Sequence, residues 1–355
     1  MPFVRFAALA LELFCATLAD AATQRSFVAS TGVDTNAAFN CSIVKPCRGF
    51  AAAIGVTSAK GEVIVLDSAA YVVIPAITQS VTITAPTGIY AGISVFSGDG
   101  ITINAAGTDT VVLRGLTING QGGANGITIT NALVVHVENC VIANMTGIGI
   151  NQAKGLLEVK DTIVRNNGNI GVYVTAPGEA NLDHVRLEAN NTGLAAELGG
   201  WVAIQDSIVT GSPNIGIVVT NTTTAHSQVT ISRSLISSNN YGIYIDGSNS
   251  LGPFSYSKVT VSDSVVSRNV VGIQVATTGS GGPGSYAGLL HAVRNTFTSN
   301  GAGLNLLHGQ ANFDGNYMES DGLDVFGDAS SELFTRGNNS GLNVQGASIS
   351  PIYAF

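Results

Sequence analysis

One short phrase, glycine followed by an aliphatic residue, any residue and a second apolar one, returns ten times between Gly126 and Val344. Gly126-Ile-Thr-Ile, Gly171-Val-Tyr-Val, Gly216-Ile-Val-Val, Gly242-Ile-Tyr-Ile and Gly272-Ile-Gln-Val are typical; Gly147, Gly193, Gly303, Gly322 and Gly341 open the other copies. The separations are 21, 24, 22, 23, 26, 30, 31, 19 and 19 residues. A second phrase lies between copies, as in Val137-Glu-Asn-Cys, Val159-Lys-Asp-Thr, Ile204-Gln-Asp-Ser and Val261-Ser-Asp-Ser. A period of about 22 residues, with β-branched residues at alternate positions and Asn or Gly at corners, predicts one turn of a parallel β-helix. Each strand then pairs with its equivalent one rung later, about 4.8 Å along the axis.

Alternation assigns the two faces of each strand. Val259, Val261, Val266, Ile273 and Val275 are expected inside, with Thr260, Ser262 and Gln274 facing water. Asn144, Asn166, Asn190, Asn239, Asn269 and Asn300 recur after the second strand, where Asn suits a tight corner. A leucine-rich repeat shares the period, but its Leu-x-x-Leu-x-Leu pattern is missing.

Only 11% of the 355 residues are charged, and the formal net charge is −8. That excludes an unassisted electrostatic grip on nucleic acid or an anionic membrane. Residues 1–21 read as a secretory signal: Arg5, an apolar run from Phe6 to Leu18, and Ala19-Asp20-Ala21 as the cleavage site. No later stretch has the roughly 20 apolar residues of a membrane span. The mature chain is therefore expected to be secreted, periplasmic or on the cell surface. Cys41 and Cys47 flank a short loop that a disulfide would staple in such a compartment. Their spacing matches no zinc pattern, so no metal is expected there, and no phosphate-binding or other cofactor motif appears.

Residues 22–60 are assigned to an N-terminal cap, 61–345 to the β-helix and 346–355 to a C-terminal tail. Arg25 to Ala29 reads as a strand and Ala51 to Ala59 as a short helix closing the open end of the coil. Val111 to Thr117 reads as one strand of an early, irregular rung.

Pro46-Cys-Arg-Gly-Phe-Ala, Gly61-Glu-Val-Ile-Val-Leu-Asp-Ser, Val81-Thr-Ile-Thr-Ala-Pro and Gly92-Ile-Ser-Val-Phe resemble the opening of secreted bacterial right-handed β-helix repeat proteins of the pectate-lyase-like superfamily. The resemblance spans the mature chain and implies a right-handed all-β solenoid. It fixes no activity, because this fold serves lyases, hydrolases, epimerases, adhesins and tailspikes. The family's enzymatic motifs do not match: Asp183-His184 lacks the proline of the alginate-epimerase motif, and Asp321-Gly-Leu-Asp324 falls on a repeat phrase.

Stacking makes neighbours of distant residues. A corner column is expected to run Asn139, Asp161, His184, Asp206, Arg233, Asp263, Asn295, placing His184 between Asp161 and Asp206. An acid–base site for a polysaccharide lyase, hydrolase or epimerase would use that trio; a plain ladder of alternating charge is the other reading. Loops after the glycine-containing strands are expected on one edge of the coil, carrying Trp201, His226, Phe254, Tyr256 and Tyr286, whose rings suit sugar faces. Tyr173 and Tyr244 are expected to point outward three rungs apart. Binding of an extracellular or envelope polysaccharide is the first functional expectation, catalysis the second, and a structural or adhesive rod docking through Ile352 to Phe355 the third.

Overall fold

A computed structural model describes residues 22–221, 225–248, 255–277, 287–319 and 321–351. The expected signal segment, Phe254, Tyr286 and the terminal Ile352 to Phe355 lie outside them. The described chain winds through three parallel sheets of 14, 11 and 12 strands, here called sheets I, II and III. One rung shows the path: Gly155–Lys160 in sheet I, Ile163–Arg165 in sheet II, Ile170–Thr175 in sheet III, then Gly178–Asp183 back in sheet I. Gly155–Lys160 pairs residue for residue with Gly178–Asp183. The fold is an all-β right-handed parallel β-helix.

Alternation fills the lumen as expected. In sheet I, Val137, Val159, Leu182, Ile204, Ile231 and Val261 form one stacked column and are all buried. Each such side chain contributes roughly 1.5–3 kcal/mol by leaving water. Gln274 departs from its expectation: it is 8% exposed, beside Tyr244, and its Oε1 accepts a hydrogen bond from Asn305 Nδ2.

The recurring glycine is required by close approach. A Cβ on Gly216 would stand 2.5 Å from the carbonyl oxygen of Gly242, and the same contact repeats at Gly171, Gly193, Gly242 and Gly272. The stack passes through Gly149 rather than Gly147, and through Asp324 above Gly303 rather than Gly322. The phrase opened by Gly341 is offset likewise, the stack running through Asn343, so three phrases start two residues before the stacked position, each because a glycine there completes the same pattern.

Corners between sheets I and II turn on a single left-handed residue: Asn139, Asp161, His184, Asp206, Arg233 and Asp263 have φ of 47–54°. Arg294, at φ 55°, continues this column. The expected Asn295 is instead the next residue, turned inward, where its Oδ1 accepts the N–H of Ser264. The asparagine series likewise divides in two. Asn144 and Asn166 occupy left-handed positions, whereas Asn190, Asn239, Asn269 and Asn300 are buried one step later. There, Asn239 N–H donates to Asn269 Oδ1, Asn269 N–H to Asn300 Oδ1, and Asn300 N–H to Asp321 Oδ1. A buried corner N–H lacking such an acceptor would cost about 1–3 kcal/mol.

The cap helix is Phe50–Val56. It buries Phe50 and Ala53 over the first rung, with the Phe50 ring 5.4 Å from Tyr71. It ends before Ala59 because Thr57 begins the strand Thr57–Val65, with its hydroxyl donating to the Ala53 carbonyl. Cys41 and Cys47 are joined by a disulfide. Thr23–Val28, expected in the cap, is the first strand of sheet I, and Ser348–Pro351, expected in the tail, is its last. The segment Val111 to Thr117 divides at Gly115, whose φ of 73° turns the chain from Thr110–Arg114 in sheet I to Leu116–Gly120 in sheet II.

Candidate functional site

The outward residues of sheet I stack into columns one rung apart. One runs His136, Glu158, Asn181, Ala203, Thr230; the next runs Glu138, Lys160, Asp183, Gln205, Ser232. Ala203 is the one small side chain in the first column, and the surface sinks around it. These columns line a shallow groove of about 510 Å³ along five strands, from Val134–Glu138 to Ser227–Ser232. Four rung intervals make it roughly 19 Å long.

Two expected features border this groove on opposite sides. On the sheet III side, successive strands are joined by residues 176–177 and 198–200, so these connections share one edge, where the strand Ser227–Ser232 also begins. The connection at 198–200 bends through Leu198 at φ 55° and Gly199 at φ 95°, and Gly199 N–H donates to Ser227 Oγ on the next rung. Trp201 emerges from it 47% exposed, with its ring centroid 5.6 Å from that of His226. His226 in turn stacks on Tyr256 at 4.9 Å and 18°. Three of the five expected rings are therefore brought together.

On the sheet II side stands the charged corner. His184 Nδ1 lies 2.6 Å from Asp183 Oδ1, and Lys160 Nζ lies 3.6 Å from Asp183 Oδ2. Asp206 accepts a two-pronged bond from Arg233, at 2.9 and 2.7 Å. One ligand atom from each of Asp183, His184 and Asp206 falls within 4.8 Å of the others. The structure thus gives His184 its sequence neighbour Asp183 as partner. Asp161, one rung away, is exposed and stands outside the group.

These contacts decide the charge states. The Arg233 hydrogen bond holds the Asp206 carboxyl below its ordinary range. For Asp183, desolvation raises the value, but hydrogen bonds from His184 and Gln205 and the nearby positive charges bring it below the usual carboxylate range. Both are ionised at neutral pH, so neither supplies the proton a general acid must carry, and both are weakened as bases.

Tyr173 and Tyr244 are three rungs apart in one outward column of sheet III, so they do not face the groove. Between them Ala195 and Val218 are only 0% and 9% exposed. Tyr173 Oη donates to Glu197 Oε2 at 2.9 Å, and burial together with this bond pushes its phenol up to about 12. The Tyr244 ring meets Tyr241 edge-on. Both tyrosines lie against the wall they shield.

Ala203, Asn181 and Thr230 were not singled out by motif, because none carries reactive chemistry. The available signal was a small residue in an outward strand position whose stacked neighbours are larger.

Residues 125–286 match the sequence profile of the right-handed beta helix region family. Among curated protein sequences, none matches the chain. Several solved structures are similar. The A-module of mannuronan C-5 epimerase AlgE4 from Azotobacter vinelandii is 14% identical, over 83% of this chain and 89% of that one, with a TM-score of 0.62. Pectate lyase Pel9A is 12% identical over 91% and 81%, at 0.55. The Dettilon tailspike protein is 13% identical over 82% and 62%, at 0.57. At these identities the likeness is one of fold.

Proposed function

We propose that this chain, a pectate-lyase-like right-handed parallel β-helix, is an exported module that binds polysaccharide along the outer face of sheet I. The observation that carries the reading is the groove lined by the polar ladders and Ala203, with exposed Trp201 two residues before Ala203 on the same strand and in ring contact with His226, which stacks on Tyr256. Aromatic faces pack on the apolar faces of sugars, while amides and hydroxyls such as Asn181, Gln205, Thr230 and Ser232 suit sugar hydroxyls. A glycan laid along the axis meets outward side chains at each rung, spaced by the strand separation.

Two of the similar structures, a mannuronan C-5 epimerase and a pectate lyase, are named for polysaccharide substrates, which supports this substrate class. Export is supported by the Cys41–Cys47 disulfide, which persists in oxidising compartments. Binding is favoured over catalysis because the carboxylate oxygens of Asp206 and Asp183 that a base would need free are engaged by Arg233, and by Lys160 and His184.

The test is Ala203→Trp, which fills the groove from an outward, exposed position. Retention on immobilised glycans (a neutral β-glucan, chitosan, alginate and polygalacturonate) is expected to fall at least about tenfold, roughly 1.4 kcal/mol, with thermal unfolding unchanged. Undiminished retention in a folded variant refutes the groove.

A further inference from the structure

The charges of the groove carry a second consequence, which rests on the polysaccharide-binding reading. Its lining holds three carboxylates, Glu138, Glu158 and Asp183, against one ammonium, Lys160. Among the described residues, the Lys and Arg side chains that line or flank it are engaged, while exposed Lys154, on the connection into the strand Gly155–Lys160, makes no ion pair and stands outside the lining. Arg114 binds Glu138 at 2.8 Å, Lys160 lies by Asp183, and Arg233 grips Asp206 with both prongs. Glu158 accepts from the neutral amide of Asn181 at 2.8 Å, stacks one rung from His136, and makes no ion pair among the described residues. One rung on, in the neighbouring column, Glu179 is exposed beside Trp201. Lys258, which makes no ion pair among the described residues, lies two rungs beyond Trp201 and outside the lining.

We infer that the groove takes a glycan without acidic groups and favours chains bearing free amino sugars. A uronate or sulfated polymer would have to set its anions beside Glu158 and Glu179 with no free guanidinium or ammonium in the described lining to receive them. Two unit charges at close range in water interact by about 1 kcal/mol, and more where solvent is partly excluded. Breaking the Arg233–Asp206 or Arg114–Glu138 pair to free a cation would expose another carboxylate and leave the net charge of the groove unchanged. The ammonium of an amino sugar meets the opposite situation, because Glu158 makes no ion pair among the described residues and gains one. The overall charge of −8 acts in the same direction at longer range.

Length-matched oligomers of chitosan, a neutral β-glucan and polygalacturonate are compared by direct binding to the whole protein, at low salt and at about 0.5 M salt, where charges are screened within a few ångströms. Expected is tightest binding of chitosan, with polygalacturonate at least about tenfold weaker and the gap closing in salt. Glu158→Gln is expected to weaken chitosan more than the neutral glucan. Polygalacturonate binding as tightly as either other oligomer overturns the charge inference while leaving polysaccharide binding intact. A preference for chitosan that salt and Glu158→Gln both leave unchanged also overturns it. Failure of all three oligomers to bind a folded protein overturns the underlying reading.

Discussion

Replacing Asn269 with alanine strikes the internal support of the coil where four hydrogen bonds meet. Asn269 Oδ1 accepts from the N–H and the Nδ2 of Asn239, at 3.0 and 3.1 Å, and Asn269 Nδ2 donates to Ile236 O and Asn300 Oδ1, at 3.2 and 3.0 Å. The alanine strands one buried backbone N–H, at about 1–3 kcal/mol, and removes three further bonds of roughly 0.5–1.5 kcal/mol each. Together these give a loss of about 3–7 kcal/mol, a large share of the stability of an ordinary domain. Urea unfolding followed by circular dichroism measures it as a lower midpoint. Because a solenoid can unfold in blocks, the slope is read with the midpoint. Thr260→Ala, on the outward face of the adjacent strand, serves as control and is expected within about 0.5 kcal/mol of the parent. If Asn269→Ala also stays within about 1 kcal/mol of the parent, the asparagine stack does not support the corner and the reasoning fails.

Gly216→Ala places a methyl 2.5 Å from the Gly242 carbonyl; thermal unfolding is expected to show a loss of about 1–3 kcal/mol, and an unchanged midpoint would contradict the glycine stack. Opening the Cys41–Cys47 disulfide by double serine substitution is expected to cost about 2 kcal/mol for so short a loop, with loss of protease resistance beginning at the cap. The Tyr173 phenol, at about 12 in the fold, is raised above its unfolded value, so its contribution is complete below about pH 10 and is lost as pH rises through the folded value. An ultraviolet titration of Glu197→Gln should show that phenol ionising earlier, and an unshifted curve would remove Glu197 as a cause.

Much of the architecture was legible along the chain. Inward Val259, Val261 and Val266, the paired cysteines and the cap helix follow from alternation, spacing and local composition. The corner residues were harder to place. Asp263 is followed in its column by Arg294 and not Asn295, because adjacent polar residues give no local sign of which one turns inward. The site was less legible still. Trp201, His226 and Tyr256 do meet, but Tyr173 and Tyr244 share the glycine-containing strands of another sheet and stand on a different face.

Sequence alone determined that the chain coils in rungs with an aliphatic lumen and sets Asn at recurring corners, because strand alternation and the period of the repeat are written along the chain, whereas the corner hydrogen bonds join residues a whole rung apart. Tertiary structure alone decided the heights at which rungs meet, and hence that Asp183 rather than Asp161 holds His184, that Arg233 neutralises Asp206, and that Ala203 opens a groove. Connections between rungs vary in length, so register is set by close contact from one rung to the next, and only that contact determines which outward side chains share a surface.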